Sequence, residues 1–270
     1  MLCFTSRRLN KLNFETIIYD NKDGIARITF NRPESLNAIN NQLLLDTQAA
    51  LAIAKRDPSI RVVVFTGAGK SFIAGGDIKA MNTMTAVQFR DFCLEIQQIT
   101  KDVREVGKPV IGAINGWALG GGSEFACICD WRIASDKAKF GFPEPRVGLT
   151  NTSGVCQNLS RIVGLGRAME LLCSGIIIDA AEAYRIGLVN KVVPHDELDQ
   201  AINEAAAEIS KCSPIAVRIA KETTNACIDI DMNSCLYYEV ESITSAFTTE
   251  DRKEGLTAFI EKRKPHFTGQ

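Results

Sequence analysis

Short runs of β-branched and aromatic residues recur along this chain, separated by stretches with helical spacing. Val62–Phe65, Val110–Ile114, Trp131–Ala134 and Leu188–Val193 read as buried strands. Between and around them lie helical patterns: Asn40–Lys55, with Leu43, Leu44, Ala50, Leu51 and Ala54 on one face, then Thr85–Val106, Ser123–Ile128, Arg167–Cys173 and Ala180–Arg185. Strands that alternate with helices pair in parallel through crossover connections, so the fold class is α/β. At the start, Phe14–Tyr19 and Ile25–Phe30 flank Asp20-Asn21-Lys22-Asp23-Gly24 and read as a hairpin. The last third is helical: Leu198–Lys211, Pro214–Ala226, Cys235–Phe247 and Thr249–Arg263, with no Gly/Ser linker ahead of it. The expected organisation is a frayed extension at 1–13, a core carrying the site at 14–195 and a helical region at 196–270.

Charge and cysteine content remove several classes of function. There are 31 basic and 32 acidic residues, a net charge of −1, and aromatic residues make up 7%. A nucleic-acid binder is expected to show a basic excess and stacking platforms, and this chain shows neither. The nine cysteines are scattered and odd in number, without a CxxC pair. They read as buried free thiols in a reducing, cytoplasmic setting rather than as a disulfide framework. Cys127 and Cys129 are close, but no further Cys or His completes a metal set around them. No run approaches the ~18 apolar residues a membrane span needs. Residues 1–11 carry Arg7, Arg8 and Lys11 and no acid. That pattern fits the stub of a leader, but a frayed terminus is the simpler reading.

Three familiar motifs fail on inspection. Val62–Ser71 imitates a phosphate loop, but position 64 is Val where the motif needs Gly. Gly120-Gly121-Gly122 would need a Gly at 125 to begin a dinucleotide fingerprint, and that residue is Phe. No GxSxG elbow exists, and the two histidines, His195 and His266, sit in Pro-containing turns far in sequence from any nucleophile.

Two segments remain: Ser71–Met81 and Asn115–Asp130. Each follows a strand with small residues that let backbone approach a ligand. In the second, the triple glycine opens onto a short helix, whose unpaired N–H groups suit a developing oxyanion. Glu124 lies one turn inside an otherwise apolar stretch, where burial raises a carboxyl pKa and poises it for proton transfer. A lone buried Glu can equally be satisfied by local backbone donors. Glu144, 144 − 124 = 20 residues on, is pinned between Pro143 and Pro145; alone it reads as an exposed turn acid, and the pair changes that weighing.

These residues carry a resemblance. The order Asn31-Arg32-Pro33, Leu36-Asn37-Ala38, Ala74-Gly75-Gly76-Asp77-Ile78, Asn115-Gly116, Gly120-Gly121-Gly122-Ser123-Glu124 and Phe140-Gly141-Phe142-Pro143-Glu144 resembles the crotonase superfamily, specifically the enoyl-CoA hydratase/isomerase family. Glu254-Gly255-Leu256-Thr257-Ala258-Phe259 with Lys262-Arg263 extends the match to nearly the whole chain. The resemblance implies a crotonase-like ββα spiral core with a helical C-terminal trimerisation region. It implies an acyl-CoA substrate, a homotrimer or dimer of trimers, and no metal or cofactor beyond the CoA thioester. By motif position, the N–H groups of Gly76 and Gly121 hold the thioester oxygen, and Glu124 and Glu144 are the catalytic carboxylates. Glu144 would exchange the proton at Cα and Glu124 would activate water. Ser35, Leu36, Ala38, Ala74, Gly76, Asp77, Ile78 and Gly121 would line the CoA, and Phe259 and Lys262 would reach the CoA of a neighbouring subunit. Both glutamates together favour hydration of a 2-enoyl-CoA to a 3-hydroxyacyl-CoA over Δ3-Δ2 isomerisation, and over a non-catalytic acyl-CoA- or RNA-binding member. Two departures stand out: Glu34 where a CoA-binding Lys is usual, and Gly148–Gly154, which replaces a Pro- and Gly-rich loop that shapes the acyl pocket.

Overall fold

The computed structural model describes residues 14–270. The expected extension at 1–13, with Cys3 and the basic residues at 7, 8 and 11, lies outside them. Strands β1 (Ile17–Lys22) and β2 (Ile25–Phe30) form the expected hairpin. Its turn is tighter than the five residues read from sequence. Only Asp23 and Gly24 leave the strands, with φ +53° and +79°, the left-handed pair that a two-residue turn requires.

Helix α1 (Asn41–Arg56) follows, its first turn capped by Asn40, which accepts from the Leu43 N–H at 2.9 Å. Then come β3 (Val62–Gly67), β4 (Ser71–Ala74), a single turn α2 (Ile78–Met81) and the long α3 (Ala86–Glu105), started by a Thr85/Gln88 capping box. The pattern repeats as β5 (Val110–Ile114), β6 (Trp117–Leu119) and α4 (Gly121–Ile128). It repeats once more as β7 (Trp131–Ser135), β8 (Lys139–Gly141) and α5 (Val155–Val163). Helix α6 (Leu165–Ser174), β9 (Ile177–Asp179), α7 (Ala180–Arg185) and β10 (Lys191–Val193) complete the strands. Four helices end the chain: α8 (Leu198–Ser210), α9 (Pro214–Cys227), α10 (Met232–Phe247) and α11 (Glu250–Ile260).

The strands fall into two sheets. Six run in the order β1-β2-β3-β5-β7-β10, parallel after the first hairpin; four form a second sheet in the order β4-β6-β8-β9. Each ββα turn of the chain gives one strand to each sheet, so the chain winds as a spiral. The larger sheet is legible in the sequence and the smaller is not. Segments of three or four residues, such as Trp117–Leu119, are too short to show alternation and read as Gly/Ala-rich turns. The Leu188–Val193 run is a strand only over its last three residues; Leu188 and Val189 are buried in a loop. Helix α5 also goes unread, because it begins after Gly154 (φ +70°) without a side-chain cap.

Two cores hold the larger sheet. On one face, Phe30 stacks on Phe65 at 5.6 Å and meets Phe72 and Phe125 edge-on at 5.4 and 5.9 Å. These rings come from β2, β3, β4 and α4, so one aromatic cluster ties both sheets to the helix that carries Glu124. Each fully buried ring contributes about 2–3 kcal/mol. On the other face, Val62, Val64, Ile111, Ala113 and Ile133 pack on Leu198, Ala201, Ile202 and Ala206 of α8. Burial on both faces explains why these strands are continuously apolar rather than alternating. Helices α9 and α10 bury no residue in the single chain. Met232, Tyr237, Val240, Ile243 and Phe247 leave an apolar face of α10 exposed.

The cysteine expectation holds in part. All eight described cysteines are free, and Cys127 and Cys129 are buried, but Cys156, Cys173 and Cys212 are exposed on the single chain. Among the described residues, no helix is long and apolar enough to cross a membrane.

Candidate active site

Helix α4 starts on a turn that only glycine adopts without strain. Gly120 has φ +53° and lies so close to Glu144 that a Cβ there would sit 2.8 Å from its Oε1. Gly121 is the first helical residue, so its N–H has no partner within the helix. Gly76 is left free in a different way. Ile39 donates to the Gly75 carbonyl at 2.9 Å and accepts from the Asp77 N–H at 2.8 Å, so this parallel bridge passes over the Gly76 N–H. Gly76 and Gly121 line one cavity of about 450 Å3 together with Glu124 and Glu144. Phe89, Phe92 and Ile96 of α3 form part of its apolar wall, and Thr150, Asn151 and Thr152 bring polar groups to it. A larger cleft of about 650 Å3, lined by Asp20, Arg27, His195 and Asp199, holds none of the four. His195 is exposed there and bonds the Ser135 hydroxyl at 3.0 Å, as expected of a turn residue.

Glu124 is 1% exposed, and each of its oxygens has a donor. The Thr152 N–H donates to Oε1 at 2.9 Å, and the Ser153 hydroxyl donates to Oε2 at 2.8 Å. Burial pushes its pKa above the ordinary carboxyl value, although these bonds and the Asn151 amide pull the other way. Glu144 opens a short 3-10 helix, Glu144–Val147, and is half-buried rather than an exposed turn acid. Burial also raises its pKa; its own backbone N–H opposes that, the Glu124 charge adds to it, and Asn151 opposes it. The two carboxyls thus face one cavity with raised pKa values.

The two segments expected to line the CoA come together. Ala74 N–H donates to the Leu36 carbonyl at 3.0 Å, which sets residues 36–39 beside 74–77. Leu36 and Ile78 are exposed and Ala38 is buried. Asp77 spends its carboxylate on structure: it caps the Ala80 N–H at 3.3 Å and pairs with Arg32 at 3.2 Å, which leaves backbone for any ligand. Asn37, unassigned by the sequence reading, is fully buried. It donates to the carbonyls of Ala68, Ser71 and Phe72 at 3.0, 2.8 and 3.2 Å. Its φ of +60° is a conformation that Asn tolerates better than most residues. Phe259, 84% exposed, and Lys262 line no part of this cavity in the single chain. Cys227, Cys235 and Glu239 lie close enough to share an ion, all ligand atoms within 4.8 Å, but none lines the cavity.

The donors to Glu124 are also missing from the sequence reading, which marks Gly148–Gly154 only as a change in the acyl pocket. The available signal was the run Thr150-Asn151-Thr152-Ser153, four hydrogen-bonding side chains between a carboxylate and a helix.

A family profile described as enoyl-CoA hydratase/isomerase matches residues 20–270. A crotonyl-CoA hydratase of Syntrophomonas wolfei is 41% identical over 255 residues, 94% of this chain and 98% of that protein. A short-chain-enoyl-CoA hydratase of Clostridium acetobutylicum is 41% identical over 254 residues, 94% and 97% of the two chains. The crystal structure of an enoyl-CoA hydratase from Bacillus anthracis superposes with a TM-score of 0.92 at 38% identity, covering 95% of this chain and all of that one. With its two-sheet spiral, its glycine turns and its paired glutamates, the chain belongs to the enoyl-CoA hydratase/isomerase family.

Proposed function

We propose that the chain reversibly hydrates a 2-enoyl-CoA to the 3-hydroxyacyl-CoA. The observation that carries this reading is the meeting of one buried and one half-buried carboxyl with two free backbone N–H groups on one cavity. The Gly76 and Gly121 N–H groups bind the thioester oxygen. As water adds to Cβ, the double-bond electrons move toward that oxygen, and a fixed donor aimed at it commonly lowers such a barrier by about 3 kcal/mol. Glu124, whose anionic form is stabilised by its two donors, takes a proton from the attacking water. Glu144 gives its proton to Cα, which completes the addition. Every step is a proton transfer or a charge held by amide dipoles, so the CoA thioester of the substrate is the only carrier the chemistry needs.

Ser35, Leu36, Ala38, Ala74, Asp77 and Ile78 would hold the CoA through backbone. Phe259 and Lys262 would serve a neighbouring subunit in a homotrimer or dimer of trimers, with the apolar face of α10 buried between copies. Light scattering coupled to gel filtration tests this; a monomer would oppose it. The free thiols suit a reducing compartment, and the cytoplasm is the setting we assign.

The test of activity is the loss of conjugated enoyl-thioester absorbance with crotonyl-CoA. Wild type turns over, while Glu124→Gln and Glu144→Gln each fall by about 10²–10⁴-fold. A folded, assembled wild type that leaves crotonyl-CoA untouched but converts a 3-enoyl-CoA would replace hydration by isomerisation.

A further inference from the structure

Asn151 lines the cavity that Glu124 and Glu144 share. Burial raises the pKa of both carboxyls, and the Asn151 amide opposes that rise in each. Yet its Nδ2 is buried and makes no well-formed hydrogen bond. Glu144 Oε2 is buried and unpaired as well. The contrast is with Glu124, where each oxygen already has a donor. The Thr152 N–H, on the next residue, is one of those donors and is spent. A buried donor and a buried acceptor on the same cavity, both unmatched, are the complement of a ligand that accepts one hydrogen bond and donates another.

The hydration reaction supplies such a ligand. An attacking water has two O–H groups and two lone pairs. One O–H must point at Glu124, which takes the proton, and one lone pair must point at Cβ. That leaves one O–H and one lone pair to fix the orientation. Glu144 Oε2 can accept the O–H, and Asn151 Nδ2 can donate to the lone pair.

Resting on the hydratase reading above, we propose that Asn151 is a catalytic residue whose Nδ2–H donates to the oxygen that adds to Cβ. In the forward direction an O–Cβ bond forms, the water proton passes to Glu124, the C=C pair moves to the thioester oxygen, and the Glu144 proton closes the Cα valence. Solvent exchange then returns the proton to Glu144. In reverse, the same N–H holds the departing oxygen as its bond to Cβ breaks. Its contribution is orientation, which is lost in kcat more than in KM.

The test compares two reactions in the same variants. Crotonyl-CoA hydration needs the oriented water. Exchange of the Cα protons of butyryl-CoA in D2O, followed by NMR, needs the Gly76 and Gly121 amides and Glu144, but no attack at Cβ. Asn151→Ala should lower kcat for hydration by about 30–100-fold, with KM and Cα exchange each within about threefold of wild type. Asn151→Leu, with the same branching and number of heavy atoms and without a donor, carries the same comparison if the alanine variant is unstable. Equal losses in hydration and exchange would reduce Asn151 to a prop for Glu144 and overturn the proposal, as would hydration within threefold of wild type. A wild type that exchanges Cα protons but hydrates nothing would overturn the hydratase reading itself, and the role of Asn151 with it.

Discussion

The hydroxyl of Ser153 donates a 2.8 Å hydrogen bond to Oε2 of Glu124, across 29 residues of chain. With the Thr152 N–H on Oε1, it stabilises the anion of a carboxyl that burial would otherwise keep protonated. The acid limb of activity should therefore depend on Ser153. Removing the donor in Ser153→Ala raises the Glu124 pKa further, so the ionised base appears only at higher pH. We expect the acid limb of kcat/KM to move up by about one pH unit, since a hydrogen bond to a charged group contributes about 1.5–3 kcal/mol and one unit is 1.36. A pH-rate profile checks this, and an unmoved acid limb would detach Glu124 from it.

The raised pKa of Glu124 also sets a stability trade. A carboxyl whose folded pKa lies above its unfolded value stabilises the fold fully below the unfolded pKa, and that stability is lost as pH rises through the folded pKa. At alkaline pH, above the raised Glu124 pKa, the wild type carries a buried anion that Glu124→Gln removes. The variant should melt higher than wild type at pH 8, by about 2–4 °C per kcal/mol relieved, and the gap should close towards about pH 4. Scanning calorimetry at equal subunit concentration makes the comparison; a lower Tm at pH 8 would show that the two donors outweigh desolvation.

Gly120 binds backbone conformation to the position of Glu144. A methyl group there meets Oε1 at 2.8 Å and must hold φ +53° with ψ −124°, a glycine combination that costs a side chain about 1–3 kcal/mol. Gly120→Ala should lower kcat by about tenfold or more through displacement of Glu144. Stability should fall by only the strain. Steady-state kinetics and a urea titration separate the two effects.

Asn37 staples the strand ends on which the glycine turns rest. Asn37→Ala leaves the carbonyls of Ala68, Ser71 and Phe72 without this donor and strains an alanine at φ +60°. The expected cost is about 2–4 kcal/mol, read as a lower urea midpoint at unchanged m-value. A midpoint within error of wild type would mean that the loop relaxes to satisfy these groups by other means.

Much of this molecule is legible locally. The runs Val62–Phe65 and Val110–Ile114 are apolar on both faces because α8 covers one side of their sheet and the aromatic cluster the other. That continuous pattern is enough to declare buried parallel strands. The Asp23-Gly24 turn, the Asn40 cap and the Thr85/Gln88 box are likewise written within a few residues of where they act. Glu124 could be singled out because a carboxyl in an apolar stretch is costly wherever the chain goes.

What could not be read are the relations between distant segments. The smaller sheet is built from strands of three or four residues, which exist because β4, β6 and β8 are laid side by side by the crossovers, not through their own propensity. Asp77 stands in a motif whose backbone is expected to line the CoA, and its carboxylate pairs with Arg32, 45 residues away. Thr152 and Ser153 reach Glu124 across 28 and 29 residues, and Asn151 comes to line one cavity with both glutamates. The amino-acid order determines which chemical groups are available and which must be buried, since periodicity and side-chain type are local properties. Which donor meets which acceptor was decided by the tertiary structure alone, because hydrogen bonds act over about 3 Å and only the finished spiral brings these groups that close.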